Sequence, residues 1–455
     1  MLKNTIIKHR KGADKSVESH VFYPYLNRKF AKAVKGEGVY LYDSEGKRYI
    51  DGSAGAMTAN LGHGLKEVTQ RVKEQLDTLT FTYRTQFTNE PMEELSAKIA
   101  RLAPGPLNRV HYVNSGSEAA EQAMKLVRSY WLAKGKPGRE MVISRWGSYH
   151  GSTMGSLSMS GNVGRRQAYH TYLKAWPQID TPHCLHCPYE KTYPACDLYC
   201  ARELEKVIGR TGAGHIAAFI SEPVIGASGA GITPPPEYFP LVREICHKHD
   251  ILFIMDEVIT GFGRTGEHFA CQHWQVEPDL IVFGKGVSAG YGPLAGLIAS
   301  DAIYQTIQET SGEFTTGHTF GGNPLCCAAG CSVMDYMEKH RITEQVKDKG
   351  VYLKKKLQAL QPDHPLMADV RGLGLLLGVE LMKDRDRRVF FEPHEKITDR
   401  LVERCFENGL VVYPSTRFIH GVRGDSLLIS PPLTITYAEM DELVALLAES
   451  LNGFA

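Results

Sequence analysis

The chain has 455 residues, of which 43% are hydrophobic, and its 52 basic and 51 acidic side chains leave a formal net charge of +1. This length and composition suffice for a large cored domain and a smaller second one. A balanced charge provides no global field to recruit nucleic acid or an anionic membrane. We therefore expect neither partner and expect small-molecule chemistry.

The N-terminal stretch MLKNTIIKHRKGADKSVESH contains basic side chains but no continuous apolar core of signal-peptide length. No later segment approaches the roughly 18 uninterrupted apolar residues that span a membrane. A cytoplasmic location is the resulting expectation.

Strand-type residues flank a Ser-Glu-Gly corner in GVYLYDSEGKRYIDGSAG, which predicts a hairpin with its turn at Asp43 to Gly46. Further along, short apolar runs such as HIAAFIS, ILFIMDEV and LIVFGKG alternate with helical patterns, one of them from Phe239 to His249. This alternation indicates an α/β core with a mostly parallel sheet between helices. We assign the large domain to 66–335, and the segment 1–65 to the small domain.

The pattern changes at about residue 335. A long charged helix, a strand at RGLGLLLGVEL, an amphipathic helix from Leu401 to Asn408 and a closing helix from Tyr437 to Leu451 follow one another. They predict a smaller α+β domain over 336–455.

Two polar side chains follow buried strands. The strand Ile251 to Met255 delivers Asp256 at its carboxyl end, where ligands bind in an open α/β sheet, although Asp also serves as a helix cap or turn residue. Another strand ends at Phe283 and presents Lys285 between two glycines. Such a lysine is partly desolvated and nucleophilic unless it is an ordinary surface residue.

A third strand end, VNSGSEAAEQAMKL, places Ser115, Gly116 and Ser117 where a helix begins. Free backbone amides at the start of a helix can bind an anion. A capping box from Ser115 to Glu118 is the alternative interpretation of this segment and requires no anion. The glycine spacing matches neither a dinucleotide fingerprint nor a P-loop.

Two further segments complete the set. FISEPVIG presents Glu222, and SYHGSTMGSLS presents Tyr149 and His150 before a glycine. An aromatic ring there can cover a planar cofactor, although an isolated Tyr or His more often just packs. A lysine amine, a carboxylate, an anion site and a stacking ring share one use, which is binding pyridoxal phosphate.

The chain resembles the class III aminotransferases, which are pyridoxal-phosphate enzymes of fold type I and include ω-amino acid:pyruvate, acetylornithine and γ-aminobutyrate transaminases. The resemblance runs from about Gly36 to the C-terminus, in the family's order. It rests on YLYDSEGKRYIDGSAG, NSGSEA, SYHG, SEP, DEVITGFGRTG, the KG dipeptide, GHTFGGNP, RGLGLLLGVEL and GDSLLISPPLTIT.

The resemblance implies a role for each matching residue. Lys285 matches the Schiff-base lysine that also shuttles a proton, and Asp256 matches the partner of the pyridinium nitrogen. The other matches are Val258 and Tyr149 on the two ring faces, His150 beside the cofactor, Ser115, Gly116 and Ser117 in the phosphate loop, and Glu222 near the phenolic oxygen. Thr319 matches a residue that reaches the neighbouring subunit's phosphate, so a homodimer or dimer of dimers is expected.

The substrate is less well specified. Ile225 stands where the acetylornithine and γ-aminobutyrate branches have glutamine, which resembles the ω-amino acid:pyruvate branch. That branch has a carboxylate-binding arginine a few residues before its GD motif, whereas Arg423 directly precedes Gly424. Arg423 is still our first candidate for that role. Arg84 and Tyr83 are candidates at the substrate entrance, and Met57 stands where the family has a bulky aromatic pocket residue.

CLHCPYEKTYPACDLYC contains Cys184, Cys187, Cys196 and Cys200. The spacing resembles a structural zinc site, but the interval between the pairs is short. Zinc, one or two disulfides, and free thiols in an ordered insertion are the three interpretations. None of them implies a catalytic metal.

The leading function is a ping-pong aminotransferase that moves an amino group from a primary amine, ω-amino acid or amino acid to a keto acid such as pyruvate. An aminomutase, a decarboxylase, a racemase or an amino-phosphate lyase on the same fold would keep Lys285 and Asp256. A non-enzymatic binding protein of this fold, with the cysteines as an interaction module, is the alternative from another class.

Overall fold

A computed structural model describes residues 19–454. Most of the N-terminal stretch considered above for a signal peptide, and Ala455, lie outside these residues. Among the described helices, none is long and apolar enough to cross a membrane.

The strands and helices are numbered here along the chain. The strands are β1 Ala33–Glu37, β2 Tyr40–Asp43, β3 Arg48–Asp51, β4 Leu107–Val113, β5 Met141–Arg145, β6 Gln178–Ile179, β7 Ile216–Ser221, β8 Leu252–Asp256, β9 Leu280–Phe283, β10 Ala295–Ser300, β11 Met367–Leu373, β12 Leu376–Leu381, β13 Leu410–Val411, β14 Tyr413–Ile419 and β15 Arg423–Ile429. The helices are α1 Ala54–Met57, α2 Lys66–Thr78, α3 Glu90–Leu102, α4 Gly116–Ala133, α5 Met154–Met159, α6 Val163–Arg166, α7 Tyr199–Thr211, α8 Tyr238–Lys248, α9 Asp301–Thr310, α10 Pro324–Lys339, α11 Ile342–Gln358, α12 Ile397–Glu407 and α13 Tyr437–Leu451.

The largest of the three sheets has seven strands in the order β4-β10-β9-β8-β7-β5-β6. Its strands are parallel except β10, which runs antiparallel to both β4 and β9. The strands β7, β8 and β9 are buried throughout. This confirms the α/β core predicted from the alternation of short apolar runs with helical patterns.

Alternate residues of the central strands face two different hydrophobic clusters. In β9, Ile281 and Phe283 belong to one cluster, whereas Leu280 and Val282 belong to the other. Side chains alternate across a strand, so a strand without polar positions requires cover on both faces. Helix α4 covers one face, where Trp131 donates a hydrogen bond from Nε1 to the carbonyl of Ala217 at 2.8 Å.

Two smaller sheets lie outside this core, in the orders β1-β2-β3-β13 and β11-β12-β15-β14. One buried cluster combines Val39 and Ile50 from the N-terminal segment with Leu443 and Leu447 from α13. The first and last parts of the chain therefore share a core. The domain boundaries drawn from the sequence stay a prediction.

Several local predictions can be compared with these elements. The hairpin turn at Asp43 is confirmed, with the Gly46 amide donating to the Asp43 carbonyl at 3.1 Å. The single strand predicted at RGLGLLLGVEL is wrong, because β11 and β12 are two antiparallel strands. Gly374 turns the chain between them at a φ of 54°. Helix α12 begins at Ile397, earlier than predicted.

Candidate active site

The carboxyl ends of β4, β8 and β9 lead into three loops. These loops meet at Gly116, Val258 and Gly284. A Cβ atom added to Gly116 would lie 2.7 Å from Cγ1 of Val258, and one added to Gly284 would lie 3.5 Å from the same atom. The first distance is shorter than any van der Waals contact, so glycine is required at Gly116. The close approach brings the start of α4 against the loops after β8 and β9.

Lys285 follows β9 and opens the short 3-10 turn Lys285–Val287. Its backbone has a φ of 46°, a left-handed conformation that costs energy in a lysine and persists because the surrounding chain imposes it. Burial lowers the pKa of the Lys285 ammonium to about 8, although the carboxylates of Asp256 and Glu222 oppose this change. The neutral, nucleophilic amine is therefore accessible near neutral pH.

Asp256 is the last residue of β8 and is buried. Its Oδ2 atom lies 2.7 Å from Nδ1 of His150, and its Oδ1 atom accepts the Val258 backbone N–H at 3.1 Å. His150 is itself buried. The hydrogen bond to His150 and the backbone donor thus fix the Asp256 carboxylate in position.

Glu222 follows β7 and holds the neighbouring loop. Its carboxylate accepts the Tyr149 backbone N–H at 3.0 Å and the Gly226 N–H at 3.2 Å. Burial raises the pKa of the Glu222 carboxyl. Since Tyr149 is tied to Glu222 and the next residue, His150, to Asp256, two acids from adjacent strands set the position of the Tyr149 ring.

The helix start predicted as an anion site contacts the same loop. The Ser115 side chain accepts the Glu118 backbone N–H at 3.3 Å, which confirms the helix cap. The predicted reciprocal bond is wrong, because the Glu118 carboxylate accepts the Asn114 backbone N–H instead. The Ser117 hydroxyl accepts the Ser152 N–H at 3.1 Å. An added Cβ at Gly151 would lie 2.6 Å from the Cα of Ser117. The cap and a site for an anion are compatible, because a helix start leaves several N–H groups free.

These groups fit pyridoxal 5'-phosphate. An amine whose pKa is lowered can bind the aldehyde, and a buried carboxylate can hold a proton on the ring nitrogen. The start of the 18-residue helix α4 can hold the phosphate. The structure brings together Lys285, Asp256, Glu222, His150, Tyr149, Val258, Gly116 and Ser117 within one set of contacts.

The structure does not bring Arg423 to this set. Arg423 is exposed at the start of β15, where its guanidinium lies 3.6 Å from a carboxylate oxygen of Glu392. Arg417, in the preceding strand, lines a cavity of about 340 Å³ together with Gly147 and Ser228. Gly147 lies two residues before Tyr149, which makes Arg417 a second candidate for a substrate carboxylate.

The contacts that join Lys285, Asp256 and Tyr149 do not include Arg84, Tyr83 or Thr319. The Arg84 guanidinium donates to the carbonyl of Thr316 and covers Gly317. Tyr83 and Thr319 are exposed, as is Phe320 next to Thr319. Met57 is buried in the main core cluster, which also contains Val287 from the turn that Lys285 opens.

The four clustered cysteines line one small cavity of about 20 Å³ as free thiols. Burial, followed by the neighbouring thiols, raises the pKa of Cys184 and of Cys200. Across residues 19–454, no group of three or more His, Cys, Asp or Glu side chains is arranged to hold a metal ion. Zinc at Cys184, Cys187, Cys196 and Cys200 stays a prediction that metal analysis of the purified protein tests.

Two residues at the site were not singled out from the sequence. The buried Arg264 donates at 2.6 Å to the side-chain oxygen of Asn60, and the amide nitrogen of Asn60 lies against Gly286. Arg264 is the arginine of GFGRTG, within a segment that carries the resemblance. Hydrophobic periodicity could not have predicted that Arg264 is buried, because it predicts that an arginine is exposed.

Nearly the whole chain is similar to proteins of one family. The family model for class III aminotransferases matches residues 24–451. The chain is 43% identical to the uncharacterized aminotransferase YodT of Bacillus subtilis over 96% of this chain and 98% of that protein. It is 38% identical to the putrescine–pyruvate aminotransferase of Pseudomonas aeruginosa over 95% of this chain and 93% of that protein.

Solved structures agree. An (S)-enantioselective ω-transaminase from Thermomicrobium roseum superposes with a TM-score of 0.90 at 35% identity, over 96% of each chain. An amine transaminase from an uncultivated Pseudomonas species, in its pyridoxal-phosphate-bound form, gives 0.90 at 32% identity over 98% of this chain and 100% of that one.

Fold and comparisons define a pyridoxal-phosphate enzyme of fold type I. The chain belongs to the class III aminotransferases, and it is a pyridoxal-phosphate-dependent transaminase. The alternative of a non-enzymatic binding protein is wrong.

The lowered pKa of Lys285 predicts how the apoenzyme takes up its cofactor. We expect the rate of pyridoxal-phosphate addition to rise with pH through about 8, because only the neutral amine attacks the aldehyde. Growth of the visible cofactor band in stopped flow measures this rate, and Lys285→Ala is the control that lacks the phase. A midpoint at about 10.4, the value of a solvated lysine, would contradict the prediction.

Proposed function

We propose that the protein moves an amino group from a primary amine, ω-amino acid or amino acid to a keto acid, with pyruvate as the acceptor, in a ping-pong reaction. The carrying observation is Lys285, whose amine is held at a strand end beside Asp256 and Glu222 with a lowered pKa. Ile225, and the pyruvate named for the Pseudomonas aeruginosa relative, support the choice of acceptor. A cytoplasmic location stays a prediction of the sequence.

The bound cofactor supplies an electron sink for the carbon that carries the amino group. Lys285 would hold the cofactor, and its Nζ atom would accept and return the proton of that carbon. Asp256 would hold a proton on the ring nitrogen, and His150 orients Asp256. Ser115, Gly116 and Ser117 would hold the phosphate, Val258 and Tyr149 would contact the ring, and Glu222 positions Tyr149.

Spectroscopy of the half-reaction tests this function. With an amine donor alone the yellow holoenzyme should lose its visible band, and pyruvate should restore it. Asp256→Asn should lower the rate of bleaching by at least about 100-fold, because the neutral amide cannot form the charge-assisted bond to the ring nitrogen. Asp250→Asn is a matched control, since Asp250 is an exposed acid that pairs with Lys136.

Absence of bleaching with every donor in a panel of ω-amino acids, diamines and arylalkylamines would contradict the proposal. Equal rates for Asp256→Asn and Asp250→Asn would contradict the role of Asp256.

We also propose that Arg417 binds the acceptor's carboxylate. Arg417→Met should raise the KM for pyruvate by about 10- to 100-fold, which is the loss of one charge-assisted contact. Arg423→Met should leave this KM within about two-fold, because Arg423 pairs with Glu392 on the surface. Steady-state kinetics of the two variants decide between them, and the opposite ranking would return Arg423 to the site.

We further propose a homodimer in which Thr319 completes the partner's phosphate site. The exposed Thr319 and the exposed aromatic residues near it, Tyr83, Phe81 and Phe320, support an interface there. Larger assemblies such as a dimer of dimers would repeat this unit.

Subunit mixing tests the shared site. Lys285→Ala and Thr319→Glu should each be inactive alone, the second because its carboxylate repels a phosphate. Co-refolded chains should regain roughly a quarter of the wild-type activity, since half of the random dimers contain one intact site. Specific activity after mixing is the measurement, and no recovery would mean that each chain builds its site alone.

A further inference from the structure

We propose that Arg165 forms a carboxylate-binding subsite beside Tyr149, which selects amino donors that carry a distal carboxylate over donors that carry a second amine. This inference rests on the proposed aminotransferase function and names its donor class. None of the roles assigned above uses Arg165.

Two tyrosines fix the Arg165 side chain. Its guanidinium carbon lies 4.5 Å from the centroid of the Tyr149 ring, and an Nη atom donates to the Tyr413 hydroxyl at 3.3 Å. Cation–π stacking orients the plane of the guanidinium without neutralising its charge. The group is therefore positioned by neutral partners, next to the ring that we place on the cofactor.

The guanidinium also has free donors. Within residues 19–454, the Arg165 guanidinium donates to the Tyr413 hydroxyl and pairs with no carboxylate, whereas the adjacent Arg166 donates to the Ser160 carbonyl and to Gln178. Arg165 is exposed. A guanidinium has five N–H donors and binds a carboxylate through two of them at once. Arg165 thus presents an unneutralised charge and donors to spare at the site.

The charge of Arg165 acts on the reacting amine. It is among the groups that lower the pKa of Lys285, together with Arg264. In the proposed subsite, Arg165, which contacts the Tyr149 ring, meets the far end of a substrate whose amino group lies at Lys285. A carboxylate at that end gains a charge-assisted contact, whereas an ammonium meets a like charge.

The space beyond Arg165 suits an extended donor. Asn162 and Val163, which begin the same short helix, line the cavity of about 340 Å³ that also contains Gly147. Arg417 lines the same cavity. The cavity therefore lies next to the helix that carries Arg165, where a donor with several carbons between its amine and its carboxylate can extend.

Three donors of one length separate charge from size: 5-aminopentanoate, pentane-1,5-diamine and pentylamine. The measurement is kcat/KM of the donor half-reaction for each. In the wild type we expect 5-aminopentanoate to be favoured. Arg165→Met should reduce its kcat/KM relative to pentylamine by about 10- to 100-fold and should improve the diamine, while Arg165→Lys should keep most of the preference. Arg210→Met, an exposed helix arginine that pairs with Glu203, is the matched control.

An equal loss for all three donors in Arg165→Met would mean that Arg165 only supports the Tyr149 ring, and an unchanged ranking would mean that it does not sense the donor. Either result overturns the subsite.

Binding of pentanoate to the holoenzyme, measured by calorimetry, tests the subsite apart from amino transfer, because this ligand has no amine. The wild type and Arg165→Lys should bind it at least about 10-fold more tightly than Arg165→Met. Equal affinity in wild type and Arg165→Met would overturn the inference even if transamination proceeds. Pentanoate binding with no bleaching by any donor would instead contradict the aminotransferase proposal alone.

Discussion

The buried guanidinium of Arg264 holds together three parts of the chain that are distant in sequence. It donates to the carbonyls of Leu375 and Pro431 and to the side chain of Asn60, at 3.0, 2.6 and 2.6 Å. Burial lowers its pKa to about 9, so it still carries its charge near neutral pH. Removing those acceptors would leave a buried charge unpaired, which is costly. The N-terminal segment, the large sheet and the C-terminal part are thereby fixed beside Lys285.

The strand ends of the site could be predicted from the sequence because they follow from local rules. A buried apolar run must end, and its carboxyl end lies at the crevice, so the positions of Asp256 and Lys285 follow from the strands, whereas their roles required the other polar residues and the resemblance. The glycine at Gly116 similarly marks a close approach of backbone, here against Val258. Ser115 caps α4 by accepting the backbone N–H of Glu118, three residues later, so this cap is also a local feature of the sequence.

Side-chain direction and distant pairing could not be predicted in this way. Arg417 and Arg423 lie in the two strands of one hairpin. Only the fold determines that Arg423 pairs with Glu392 and that Arg417 lines the cavity. The guanidinium of Arg165 meets Tyr149 and Tyr413 through the packing of three separate segments. Sequence periodicity cannot predict these contacts, because it predicts that a charged residue on a short helix is solvent-exposed whether or not it contacts a tyrosine.

The shared core of the two chain ends has a consequence for synthesis. Strand β3 pairs in parallel with β13, and Val39 and Ile50 pack in the same cluster as Leu447. A ribosome releases the N-terminal segment first, at roughly 5–20 residues per second. The hairpin of β2 and β3 can bury these side chains in that cluster only after α13 has also been synthesised. These contacts join distant parts of the chain, and non-local contacts of this kind slow folding.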